Sequence, residues 1–416
     1  VTIPPPSPPL PPAAPPPSPG RGRSGLAPVA ALLTVLFVAS VAVGWWLADR
    51  DDDGGDEAEA EAPTTTVAPL EEADVDRLVE ELSAYVEDER ELTFREAVDV
   101  EVLDSQDYQD RVQASAEEDL EEGEEDLEHA AGVYRAVGFW PDDAADPLEI
   151  AQRFAAVSSV GFYDPEEGEL VILGSADTPN LRVTLVHELT HALEDQHFDL
   201  GRLEDLLDEE DESAGAFRSL IEGSASRVDT AYEATLSDED REAIVAEQMD
   251  LLGEVDLGGI PPVLFAEQEA VYSAGEAFVD ARYDEGGNAA VDDALEDPPT
   301  TSEQILEPED WPERDPIVDV DQPEADGEVL ESGVLGQAFW DLLVNGLFSG
   351  DDELPEWDGD HAVLWQDGDD YCLRAALAGD VEGYEEALAD WAEALDAELT
   401  VDGEGEDELL VVTTCG

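Results

Sequence analysis

The spacing of hydrophobic residues changes from segment to segment along this 416-residue chain. Leu26 to Ala48, LAPVAALLTVLFVASVAVGWWLA, runs for 23 residues without a charge, about the length that crosses a hydrocarbon layer of roughly 30 Å. It lacks the polar face of an ordinary core helix and exceeds the apolar stretch of about 7–15 residues in a signal peptide. A transmembrane helix is expected there. In VDRLVEELSAYVEDER, Val75, Leu78, Val79, Leu82 and Val86 recur at helical spacing. Residues 97–104, AVDVEVLD, alternate like a short strand. Acidic helices are expected over Asp107–Val137, and another over Pro147–Val157, with proline in its first turn. GFYDPEEGELVILG places two apolar runs around Asp164, Pro165 and Gly168, a hairpin signal. No helix breaker interrupts Leu181 to Gln196, and Ala216, Phe217, Leu220, Ile221, Val228 and Ala231 trace the stripe of a later helix. Further on, PEWDGDHAVLWQDGDDYCLRAAL suggests strands followed by a helix, and GEGEDELLVVTTCG a closing strand. The expected class is α+β, mostly helical with a small sheet, plus a C-terminal α+β region over 311–416.

Composition places these elements relative to a membrane. Eleven of the 27 prolines fall in the first 25 residues, a composition that buries no core and reads as an extended tail. Arg21 and Arg23 precede the apolar run, and DRDDDGGDEAEAEA follows it. By the positive-inside rule the tail stays in the cytoplasm and everything after residue 50 is exported. Residues 49–70 then form an acidic linker. The expected product is a single-pass cell-membrane protein with an extracytoplasmic C-terminal part. Its formal charge is −92, all 17 basic residues are Arg, and only Asp49 of the 109 acidic residues precedes residue 50. So anionic a surface repels nucleic acid and anionic lipid. It keeps the exported part hydrated, in high salt as well. In an oxidising compartment Cys372 and Cys415 are expected to form a disulfide, tying a helix near residue 372 to the last strand.

Candidate chemistry concentrates in LVHELTHALEDQHFDL, which holds three of the five histidines within eleven residues. On a helix His187 and His191 lie about 40° apart on one face, where two imidazoles reach one metal. Leu185, Leu189, Ala192 and Leu193 fall opposite, so one side would anchor in the core and the other face a cleft. Glu188 stands where a base could take a proton from an activated water. Together these residues spell HExxH. A catalytic zinc needs a third protein ligand. His197 has the spacing of HExxHxxGxxH, but Glu194 occupies the glycine position at which that motif turns. On a continuing helix His197 would lie about 15 Å along the axis from His187 and miss the metal. The other candidate is Glu222, beside Gly223, Ser224, Ala225 and Ser226, whose small side chains would let its helix approach the HELTH helix. The plainer alternative is a surface Glu222 paired with Arg218 one turn earlier. Spacing alone leaves both open.

HELTH followed some thirty residues later by Glu222-Gly223-Ser224-Ala225 resembles the gluzincin branch of zinc metallopeptidases, in which two His and one Glu hold the metal. The wider runs LRVTLVHELTHALEDQHFDL, GFYDPEEGELVILG and PPTTSEQILEPEDW resemble a set of exported, membrane-anchored bacterial or archaeal HExxH proteins. The likeness extends over residues 71–416 and is strongest from 160 to 310. It implies a zincin-like metallopeptidase domain over 71–310, a small sheet bordering the active-site helix, His187, His191 and Glu222 as Zn²⁺ ligands, and Glu188 as general base. The expected substrate is then a peptide or protein, paired along Glu169–Leu173, with Tyr272 as a candidate oxyanion donor, although an aromatic at helical spacing is more often core. Several gluzincins carry Asp four residues after the ligand Glu. Here that position is Ser226, and Asp229 is the substitute on offer. The competing functional class is a non-catalytic zinc-binding surface or scaffold protein.

Overall fold

The computed structural model describes residues 72–416 except 105, 113–123, 142–143, 159, 166–167, 175, 208–210, 255–256, 309–310, 313–316, 348–353, 404 and 406–407. The expected tail, apolar segment 26–48 and linker lie outside these residues. Among the described residues no helix is long and apolar enough to cross a membrane.

The fold is mixed α+β. Its first half runs α1 (Glu72–Arg90), β1 (Asp99–Leu103), α2 (Glu124–Ala136), α3 (Pro147–Ser158), β2 (Gly161–Asp164) and β3 (Glu169–Leu173). Then follow α4 (Pro179–Phe198), α5 (Ser213–Glu233), α6 (Asp238–Glu254), α7 (Pro262–Gly286) and α8 (Asn288–Glu296). The hairpin is present, and its sheet has the order β1-β3-β2, with β1 parallel and β2 antiparallel to β3. This order corrects one expectation. Glu169–Leu173 is the central strand, hydrogen-bonded on both sides, so it has no free edge for a substrate; β2 is the edge strand beside α4.

The last part holds β4 (Val329–Gly333), α9 (Gln337–Asn345), β5 (Trp357–Asp367), β6 (Asp370–Gly379), β7 (Glu398–Asp402) and β8 (Leu409–Cys415), in a sheet of order β4-β5-β6-β8-β7. DYCLRAALAG is therefore strand where a helix was expected. Ala and Leu favour helix by propensity, but here both faces of the segment are covered, and burial decides. The disulfide forms as expected between Cys372 and Cys415, and it joins two directly paired antiparallel strands instead of a helix and a strand. One face of this sheet packs with α2, α3, the start of α7 and α9 through Tyr134, Phe154, Leu264, Trp340, Leu364 and Leu377. A second core gathers α1, β3, α4 and α5 around Leu82, Ile172, Leu185, Leu189 and Val228.

Candidate metal centre

Sequence chemistry fixes both ends of α4. The Thr178 hydroxyl accepts the Leu181 amide at 3.1 Å, Pro179 occupies the first turn, and Asp199 closes the helix in the left-handed region with φ 59°. Between them the helix is not half exposed, as its amphipathic pattern suggested. Every residue from Val183 to Glu194 is buried, because α1, α5, α6 and the small sheet surround it. A polar face inside such an enclosure must find its partners there.

His187 and His191 point their Nε2 atoms at one another, 3.1 Å apart. Glu222, one helix over on α5, brings Oε2 to 3.4 Å from His187 Nε2 and 3.6 Å from His191 Nε2. All three residues are at most 1% exposed. Glu222 Oε2 is buried without a hydrogen-bond donor of its own. Ligands about 2.0–2.1 Å from a tetrahedral ion stand roughly 3.3–3.4 Å from one another, and the three edges found here bracket that value. The donor set of two imidazoles and one carboxylate therefore fits a metal ion, and His187, His191 and Glu222 could hold one. Glu222 is buried, not at the surface as the plainer reading had it.

His187 Nδ1 donates to Asp229 Oδ2 at 2.7 Å. This contact orients the ring, with Nε2 turned toward Glu222 and His191. The substitute for the missing Asp at position 226 thus sits seven residues after Glu222, two turns along α5. Burial lowers the proton affinity of His187, but the hydrogen bonds it makes to the Asp229 and Glu222 carboxylates outweigh that, and its pKa stands well above the ordinary value. Burial likewise raises Glu222, and the two imidazoles overcome it, holding the carboxylate far below its usual range. The site as built attracts positive charge.

His197 is not part of the cluster. The helix runs on through Phe198, and His197 Nε2 donates to the Thr93 carbonyl at 2.9 Å while Nδ1 faces Arg95 at 3.2 Å. Glu188 is fully buried on α4 against the start of β2. A Cβ on Gly161 would come within 2.8 Å of Thr184 Cγ2 and 3.3 Å of Glu188 Cγ, so glycine is what lets the strand lie on this part of the helix. Tyr272 of α7, partly exposed, hydrogen-bonds the Glu222 carboxylate, with its ring centroid 6.2 Å from that of His187. Burial, and then the Glu222 charge, push its phenol well above its ordinary pKa.

The small residues after Glu222 serve two neighbours instead of one. A Cβ on Gly223 would stand 2.1 Å from the Gly275 carbonyl, so this glycine lets α5 touch α7 and brings Tyr272 to Glu222. Ser224 faces α4, where its hydroxyl donates to Glu194 at 2.5 Å. Sequence reasoning missed Glu194 and its partner Arg90. The available signal was a Glu three residues after His191, directly after the core-face residues Ala192 and Leu193.

Comparison with protein-family models, with curated proteins and with solved structures gives no match for this chain.

Proposed function

We propose that the chain is a membrane-anchored, extracytoplasmic zinc-dependent peptidase. The observation that carries this reading is the convergence of His187, His191 and Glu222 at ligand spacing, with Glu188 on the same helix. Zinc is the natural occupant of a three-ligand His₂Glu set with an open position. Held by His187, His191 and Glu222, the ion would supply a Lewis acid to a peptide carbonyl and to a water. Glu188 would accept the proton of a water whose oxygen adds to the carbonyl carbon, and would return it to the amine nitrogen as the C–N bond breaks. Asp229 keeps His187 in the Nδ1–H tautomer. Tyr272 offers its phenol to the negative charge that develops on the carbonyl oxygen. The edge strand β2 offers main-chain hydrogen bonds to an extended peptide. The uncharged run 26–48, with Arg on one side and acidic residues on the other, supports the anchored, exported placement.

A non-catalytic zinc-holding protein is the second reading, favoured by the near-complete burial of the three ligands. It calls for no general base at Glu188. A digest of a peptide library separates the two: cleavage that is lost with chelator, restored by zinc and lost in Glu188→Gln supports the peptidase. Uncleaved peptides beside a tightly bound metal would favour the second reading.

A further inference from the structure

Among the described residues, the most completely buried Arg–carboxylate pair is Arg90 with Glu194, at 2% and 0% side-chain exposure. It stands one turn from the candidate metal centre. Arg90, the last residue of α1, donates from Nε to Glu194 Oε1 at 2.7 Å. Its other two nitrogens reach α8, at 2.8 Å to Asn288 Oδ1 and 2.7 Å to Asp292 Oδ1. The same Glu194 Oε1 accepts the Ser224 hydroxyl at 2.5 Å. Glu194 lies three residues after His191 on α4, and Ser224 two residues after Glu222 on α5. One carboxylate oxygen therefore joins the two helices that carry the ligands and ties both to α1 and α8. Across the site, Asp229 and His187 make a second α5–α4 tie at 2.7 Å. On α4 the ligands fall within the tied span 187–194, and on α5 the ligand Glu222 stands two residues before the first tied position, Ser224.

Stability alone is a poor reason for this arrangement. Taking two charges out of water is costly, and apolar residues of similar volume often serve stability as well or better. The other oxygen, Glu194 Oε2, is buried with no hydrogen-bond partner at all. What a charged pair supplies that a leucine cannot is direction and a fixed separation. A metal centre built from two helices needs that separation held to roughly 0.5 Å.

We propose that Arg90, Glu194 and Ser224 are positioning residues, which hold α4 and α5 at the separation that brings His187, His191 and Glu222 onto one ion. The proposal rests on the metal-centre reading above. It adds that Asn288 and Asp292, which touch no ligand, set the metal affinity through Arg90.

The test is a titration of the metal-free full-length protein with Co²⁺. Affinity is read by chelator competition, and ligand geometry by the visible absorption of the bound ion, with thermal unfolding of each metal-free variant alongside. Ser224→Ala, which removes one hydroxyl, and Glu194→Gln are expected to weaken Co²⁺ about 10- to 100-fold, as loss of outer partners commonly does, and to shift the absorption bands. Asp292→Asn is expected to move both in the same direction by a smaller factor. Should Glu194→Gln fail to fold, Ser224→Ala and Asp292→Asn decide. Tight wild-type binding with unchanged affinity and spectrum in the folded variants, whatever their melting temperatures, overturns the positioning role and leaves the metal centre standing. A wild type that takes up no Co²⁺, or Glu222→Ala binding it equally well, removes the metal centre and this proposal with it.

Discussion

Two buried carboxylates lie in opposite surroundings. In the C-terminal region Asp360 accepts four hydrogen bonds, from the Leu335 and Gly336 amides at 2.7 and 3.0 Å and from the Trp340 and Trp357 indoles at 2.9 and 3.0 Å. Between α4 and α5, Glu222 meets two imidazoles at longer range, and its Oε2 has no donor. The chain satisfies the first internally, and Asp360 pins the start of α9 to β5. The second takes the Tyr272 phenol on its carboxylate and leaves Oε2 between two imidazole nitrogens at ligand spacing, an arrangement that a cation or a proton completes. Burial by itself says little about role; the identity of the partners says more.

That contrast can be broken in several ways. The largest effect is expected at Glu188. Glu188→Gln should lower peptide turnover by about 10²- to 10⁴-fold, the range of a lost general base, with metal content unchanged in elemental analysis. Removal of the metal by chelator comes next. If the ion binds only the folded chain and is present at about a thousand times its Kd, its loss removes about 4 kcal/mol of stability, read as a fall in Tm that zinc reverses. Asp360→Ala should cost at least about 3 kcal/mol in denaturant unfolding, because two indoles and two amides lose their acceptor, and should leave metal content untouched. Glu222→Gln should show the reverse pattern, with lost metal and a smaller change in the stability of the metal-free chain.

The smallest effect is a pH dependence at Glu212, which lies against Gly336 and accepts the Ser302 amide at 3.2 Å. Burial pushes its carboxyl up to about 8, from an ordinary 4.5. A folded pKa above the unfolded one means that the neutral form stabilises the fold. That contribution is complete below about pH 4.5 and drains away as the pH rises through about 8. Glu212→Gln has no such proton to lose. It should match wild type at pH 5 and exceed it by about 1–3 kcal/mol at pH 9, where wild type holds a buried charge.

How much of this was legible depended on how far apart the partners lie in sequence. HELTH states its chemistry within five residues, and the continuation of α4 past His197 follows from the absence of a glycine at Glu194. Glu222 was within reach because small residues and an apolar stripe mark a helix that must pack closely. Asp229 was only a candidate, since nothing local shows which turn of α5 faces His187. Arg90 and Glu194 are 104 residues apart, and Asn288 and Asp292 are farther still. No period or motif links them. The strand β5 was legible, but β6 was misread as helix for a related reason: a segment buried on both faces has no alternation, and LRAALAG then looks helical by propensity alone. The edge position of β2 came from the parallel pairing of β1 with β3, which the hairpin signal does not contain.

The most direct test of the central claim is the zinc stoichiometry of the purified protein, as wild type beside Glu222→Ala and His197→Ala. One zinc per chain in wild type and in His197→Ala, with none in Glu222→Ala, is the predicted result. Zinc retained by Glu222→Ala, or lost on replacing His197, or absent from wild type, would contradict a centre built from His187, His191 and Glu222.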